Sequence, residues 1–270
     1  HGVHRRQRQM CIRDRPRVFR LVEDQALINR LGFNNHGSDV VLNRIKSNNK
    51  LGVLGINVGP NKDSDNRIND YLIGIEKFHE VADYITINIS SPNTENLRNF
   101  HDERKLQDLL KSVSEKKKSL DSNIPIVVKI SPDIDENQIN LISEILLEND
   151  ISGIIISNTS ESSRDILKNI LRYQKGGLSG KPIEKKSNLL INKFYNLLKG
   201  KIKIIGVGGV DSGQSAYEKF LLGADYIQLY TGMVFQGPNI ASIIKKDLKE
   251  LLTRDGVKNF SEIIGNKTLS

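Results

Sequence analysis

The sequence predicts an α/β protein built as a (β/α)8 TIM barrel that is incomplete, with about six of the eight βα units present. Three observations carry this prediction. From residue 51 onward, short β-rich runs alternate with longer amphipathic stretches, the pattern of parallel strands joined by crossover helices. Polar and glycine-rich residues gather after each strand candidate, as they do where all strand ends share one face of a barrel; an open doubly wound sheet would collect them at one switch point. Residues 16–50 offer no parallel strand, so two units are expected to be missing and the chain reads as truncated.

The strand candidates are residues 51–58, 84–90, 126–130, 153–157, 202–207 and 225–229. They end in "NVGPNKD", "NISSPN", "KISPD", "SNTS", "GVGGVDS" and "YTGMVF". In the second run Ile85, Ile87 and Ile89 recur with period two, and Pro92 ends any ladder that reaches it. Helical patterns lie between the strands, for example at 69–82, 103–120 and 136–150. No short-period repeat, low-complexity block or interdomain linker interrupts the alternation.

A chain of 270 residues with 37% hydrophobic and 27% charged residues suits one large soluble domain. No run approaches the roughly 18 apolar residues that span a membrane. A single Cys excludes an internal disulfide framework, and His36, His79 and His101 are scattered without metal-ligand spacing. The net charge of +8 is not a nucleic-acid signature, because residues 1–15, with five Arg and one Asp, supply half of it. That Arg-rich stretch resembles translated sequencing-adapter sequence and is expected to be a non-native leader without a fold. Residues 16–270 are expected to form one partial barrel domain.

Several strand ends carry residues with chemical potential, each with a plainer rival. Gly-rich "IIGVGGV" (204–210) and "YTGMVF" (230–235) follow the last two strands, where barrels commonly build a phosphate site from backbone N–H groups; tight turns would use the same glycines. "GGLSG" (176–180) reads as a flexible lid or a point of close backbone approach. Lys129 ends an apolar strand, so its amine either meets a polar partner or snorkels to solvent. Asn57, Asn88, Asn158 and Thr159 also sit at strand ends. Singly they are caps or turn residues; converging on one mouth they make a neutral pocket for a planar, amide-like ligand.

Taken in order, "PRVFRLVEDQALINRLGFNNHG", "LGINVGPNKD", "NISSPNTENLR", "GGLSGKPI", "IIGVGGVDSG" and "YTGMVFQGP" resemble the class 2 dihydroorotate dehydrogenases, flavin enzymes that pass electrons to quinones. The resemblance runs from about Pro16 to the C-terminus. It implies oxidation of (S)-dihydroorotate to orotate in pyrimidine (UMP) biosynthesis, with FMN as hydride acceptor. Ser91 matches the catalytic base that removes the C5 proton, a place held by Cys in class 1. The substrate contacts match Asn29, Arg30, Leu31, Gly32, Phe33, Asn88, Asn93, Asn158 and Thr159. The cofactor contacts match Asn57, Asn88, Lys129, Ser157, Gly180, Gly209, Tyr230 and Thr231, with no metal.

Two positions depart from the family pattern. Ser157 stands where Thr is more usual, and Pro60 where Lys is common. The family's first-strand Asp-Lys turn, its second-strand Thr and its N-terminal helical segment for quinone access have no counterpart in residues 16–50. The chain as written is therefore expected to be soluble, and it need not bind FMN or turn over. The family places such enzymes peripherally on the cytoplasmic side of the bacterial inner membrane, with dihydroorotate, orotate and a quinone as partners and no nucleic acid. Two other readings stay open: a related FMN barrel acting on another pyrimidine, and a non-catalytic phosphate-binding barrel fragment.

Overall fold

In β4, Tyr84–Asn88, the residues Ile85 and Ile87, followed by Ile89, turn one face of the strand onto the helices, while Thr86, Asn88 and Ser90 turn to the other. That division repeats along the sheet and places the site. The computed structural model describes residues 16–49, 51–61, 64–91, 97–162 and 164–266.

The chain opens with an antiparallel hairpin, β1 (Val18–Leu21) and β2 (Ala26–Asn29), and a first helix α1 (Ser38–Lys46). The parallel sheet follows: β3 (Gly55–Val58), β4, β5 (Ile126–Lys129), β6 (Gly153–Ile156), β8 (Lys203–Val207) and β9 (Tyr226–Gln228), hydrogen-bonded in that order. β7 (Gly177–Gly180) leaves this sheet and pairs antiparallel with β2. The helices α2 (Arg67–Phe78), α3 (Glu103–Ser119), α4 (Glu136–Glu148), α5 (Glu184–Leu198) and α6 (Gly213–Leu221) alternate with the strands. A short α7 (Thr231–Gln236) and a longer α8 (Ile240–Arg254) close the order.

Six parallel βα strands are thus present, as the alternation predicted. The first differs in extent. Residues 51–54 stand outside β3, with Leu51 94% and Val53 80% exposed, because Asp83 caps the strand start: its Oδ2 accepts from Leu54 N at 2.6 Å. The described residues 16–49 hold two strands, but antiparallel ones outside the barrel sheet. "GGLSG" proves to contain a strand rather than a free loop. Its pairing partner is Ala26–Asn29, remote in sequence.

The parallel sheet is curled. Gln228 Nε2 on the edge strand β9 donates to Tyr84 Oη at 3.1 Å, although β4 lies four places away in the sheet. In a flat sheet those strands would be about 19 Å apart. The curl splits the apolar residues into two layers. The main core lies between the strands and the helices, with Ile85, Ile87, Val128, Ile154 and Ile204 fully or almost fully buried. A small inner layer of Val127, Ile155 and Ile205 fills the concave side, with Tyr84 and Val207 packed on it. Above that layer the inner face becomes polar. Helix starts are fixed locally: Asp135 and Gln138 form a capping box on α4, and Ser212 and Ser215 form another on α6.

Candidate active site

Because alternate residues of a strand share a face, the inner layer leads directly to Asn57 on β3, Asn88 on β4 and Lys129 on β5 at the carboxyl ends of the strands. Asn88 and Lys129 are register partners, side by side in the ladder. Ser157 follows β6 after a cis Ile156–Ser157 peptide.

Asn88 is tightly oriented. Its Oδ1 accepts from Ser90 N at 3.1 Å and Ser90 Oγ at 3.0 Å, which fixes which end of the amide is oxygen. Its carbonyl accepts from the buried Tyr71 hydroxyl of α2 at 2.7 Å. Asn158 reaches across from the β6 end: its Nδ2 donates to Ser90 Oγ at 2.9 Å and lies 3.5 Å from Asn88 Oδ1. Thr159 N donates to Asn158 Oδ1 at 2.7 Å. Two amide side chains from two strand ends are thereby locked into one network.

A cavity of about 180 Å³ opens beside this network. Asn29, Lys129, Ser157, Asn158, Thr159, Gly180, Gly209, Tyr230 and Thr231 all line it. Nine of the residues singled out from sequence therefore meet in one cavity. Gly208 and Gly209 have φ of 112° and 77°, and a Cβ on Gly209 would fall 2.3 Å from Glu184 Cβ. Only glycine permits that backbone course, which leaves main chain rather than side chain at the cavity wall. Gly180, at φ 98°, serves the backbone-approach reading of "GGLSG".

Lys129 is the cation of the cavity. Burial pushes its pKa down, and among the described residues it has no hydrogen-bond or ion-pair partner. A desolvated, unpartnered ammonium favours an anionic ligand. By contrast Lys181, at the rim, lies 2.8 Å from Glu184 and 3.6 Å from Asp211; burial works against its charge, but the two carboxylates raise its pKa.

Other predicted residues lie elsewhere. Asn57, Gly32 and Phe33 line a second, larger cavity of about 540 Å³ beside β3. Arg30 braces the antiparallel hairpin: its guanidinium donates to Gln174 Oε1, Lys175 O and Pro16 O and stacks on Phe19. Leu31 offers its carbonyl to Arg17. Asn88 and Ser91 are buried and do not line this cavity, with Ser91 7% exposed. Asn93 lies outside the described residues.

Reading the strand ends alone misses a second polar layer behind the Asn network. Arg98, from the short 3-10 turn Leu97–His101, and Asp133, from "KISPD", join the loops that carry the network. Burial would raise the Asp133 carboxyl, but Lys186, Ser160, the Glu161 N–H and Ser162 all donate to it and hold it well below the usual carboxylate range. Arg98 ends "NISSPNTENLR", a motif that carries the resemblance, and Asp133 ends the strand-end run "KISPD", so their polar character at those places was the available signal.

Comparison with known proteins agrees with this geometry. A family model described as dihydroorotate dehydrogenase matches residues 8–252, a range that starts inside the Arg-rich stretch. A dihydroorotate dehydrogenase (quinone) from Bartonella tribocorum is 44% identical over 252 residues, covering 92% of this chain and 70% of that protein. Those from Agrobacterium fabrum and Idiomarina loihiensis are also 44% identical, covering 92% and 87% of this chain and 70% and 72% of those proteins. The crystal structure of the Eimeria tenella enzyme in complex with ferulenol superposes with a TM-score of 0.89 at 31% identity, covering 93% of this chain and 74% of that one. With shared sequence over nine-tenths of its length and the same curled sheet, this chain belongs to the dihydroorotate dehydrogenase family.

Proposed function

We propose that the chain oxidises (S)-dihydroorotate to orotate in pyrimidine synthesis, with FMN as the hydride acceptor and a quinone as the final electron acceptor. The observation that supports this best is the placing of Lys129 beside Asn88, with Asn158 reaching Asn88 from the end of β6. A cation and oriented amides at one strand-end face suit a planar, amide-rich anion.

The residues present fit FMN. The unpartnered Lys129 ammonium answers an electron-rich ring, and the glycine-only course at Gly208 and Gly209 leaves backbone N–H groups for a phosphate, with Tyr230 and Thr231 lining the same cavity. Ser157 and Gly180 of the same cavity and Asn88 beside it complete the cofactor assignment, while Asn57, which lines the second cavity, is assigned to the cofactor by the resemblance alone. When bound, FMN supplies a two-electron acceptor for the hydride that leaves C6 of the substrate.

The protein's own part is orientation and proton removal. Asn29, Asn88, Asn93, Asn158 and Thr159 hold the substrate's carbonyl and N–H groups; residues 30–33 are assigned to the substrate by the resemblance alone, since Arg30 braces the hairpin and Gly32 and Phe33 line the second cavity. Ser91 takes the proton from C5. An isolated hydroxyl is a poor base, so Ser91 works through a relay of water or a neighbouring hydroxyl. The electron path to quinone implies peripheral association with the bacterial inner membrane from the cytoplasmic side. No helix among the described residues is long and apolar enough to cross it.

The test is turnover of the FMN-reconstituted protein with (S)-dihydroorotate and a soluble quinone. Orotate formation at a rate that dihydrouracil and dihydrothymine do not match supports the reading. Faster turnover of either favours a related pyrimidine reductase, and failure to take up FMN at all favours the non-catalytic barrel fragment.

A further inference from the structure

Arg98 lies outside the cavity wall, yet its guanidinium touches both loops that carry the proposed chemistry. Nε donates to Ser90 O at 3.5 Å and Nη2 to Thr159 O at 3.2 Å. The first carbonyl immediately precedes Ser91; the second belongs to the Asn158–Thr159 pair. Nη1 lies 3.2 Å from Asp133 Oδ2 and 3.2 Å from Glu161 Oε2. Asp133 is itself fixed, accepting from Lys186 Nζ and Ser160 Oγ at 2.6 Å each.

The backbone of Arg98 is pinned as well. His101 Nδ1 donates to Arg98 O at 2.8 Å, and His101 Nε2 accepts from Ser131 N at 3.3 Å. Ser131 Oγ accepts from Asp133 N at 3.1 Å. The contacts close a circuit that leaves Arg98 through its side chain and returns through its backbone. A planar guanidinium with five donors can serve two carbonyls and two carboxylates at once; a lysine ammonium on a flexible stem cannot.

We infer that Arg98, held by Asp133, is a positioning residue for dihydroorotate oxidation, setting the distance between Ser91 and the Asn158–Thr159 pair by fixing the carbonyls of Ser90 and Thr159. The inference rests on the roles proposed above for those residues. A base displaced by about 1 Å loses roughly 10²-fold in rate even when it is chemically intact.

The experiment compares the FMN-loaded protein with Arg98→Lys, Asp133→Asn, the double variant and Ser91→Ala. It reads flavin reduction by dihydroorotate in stopped flow, orotate affinity by calorimetry, and melting temperature. Arg98→Lys is expected to slow reduction about 10- to 100-fold and weaken orotate several-fold, with FMN content unchanged. The double variant should be no slower than the worse single, because both changes open one circuit. A purely structural role would lower the melting temperature and leave the rate and orotate affinity of the folded protein unchanged, and that result overturns the inference. Should Asp133→Asn fail to fold, Glu161→Gln replaces it: the Glu161 side chain is 47% exposed, and a milder loss of rate in the same direction is expected. Slow Ser91→Ala beside fully active Arg98→Lys refutes the role of Arg98 alone; wild-type rates in both refute the proposed function.

Discussion

His101 and Ser131 join two loops through one ring nitrogen: His101 Nε2 accepts the Ser131 backbone N–H at 3.3 Å, while Nδ1 donates to the Arg98 carbonyl at 2.8 Å. Both bonds require the neutral imidazole with its proton on Nδ1, and burial lowers the pKa of His101 below its ordinary value. A histidine with a depressed folded pKa contributes stability that is full above its unfolded pKa of about 6.5 and is lost as pH falls toward the folded value. Urea midpoints of the wild type should therefore drop between pH 7 and the acid side of 6, by up to about 1.4 kcal/mol per pH unit from this group. His101→Gln should flatten that part of the profile. An unchanged slope would mean that other groups carry it.

Lys129 gives a prediction of opposite sign for stability and binding. Its ammonium is desolvated and lacks a partner among the described residues, so the folded protein gains nothing from the charge. Lys129→Met should melt no lower than the wild type without cofactor, and its FMN affinity should fall at least about tenfold, the order expected when a charged partner is lost. Calorimetric titration with FMN and a thermal melt on one sample check both. A destabilised variant with normal affinity would assign Lys129 to structure instead.

Gly209 tests the phosphate side. Its φ of 77° and the 2.3 Å approach to Glu184 that a Cβ would make leave alanine no room. Gly209→Ala should cost about 1–3 kcal/mol of stability, from strain and displacement of α5. FMN affinity should fall further than affinity for riboflavin, which has no phosphate. Equal losses for the two ligands would move the phosphate away from this loop.

Much of this was legible because the responsible interactions are local. The alternation of Ile85, Ile87 and Ile89 fixes a strand and its faces by period alone, and it delivers Asn88 to the inner face. The hairpin of β1 and β2 was not legible. Its turn places Gln25 in the left-handed region at φ 47°, where hairpin signals rest on Gly or Asn. Glycine-rich β7 escaped for a related reason: its strand character comes from pairing with Ala26–Asn29, not from its own residues. Nor does any spacing announce the Arg98–Asp133 contact, whose partners are 35 residues apart. The strand ends named the chemistry, and tertiary packing supplied what holds it. Asn57 illustrates the limit. Its position on the inner face was readable, but its opening onto the second cavity depends on the course of residues 32–38.

Removal of the C5 proton by Ser91 is tested by anaerobic stopped-flow reduction of bound FMN by (S)-dihydroorotate in wild type and Ser91→Ala across pH. Ser91→Ala should lose at least about 10²-fold, as expected of a missing general base, with FMN content unchanged. Ser91→Cys should retain activity and shift the profile to lower pH, because a thiol ionises more readily than an alcohol. A Ser91→Ala protein that reduces its flavin within a few-fold of the wild-type rate would remove Ser91 from the chemistry and leave it as a turn residue before Pro92.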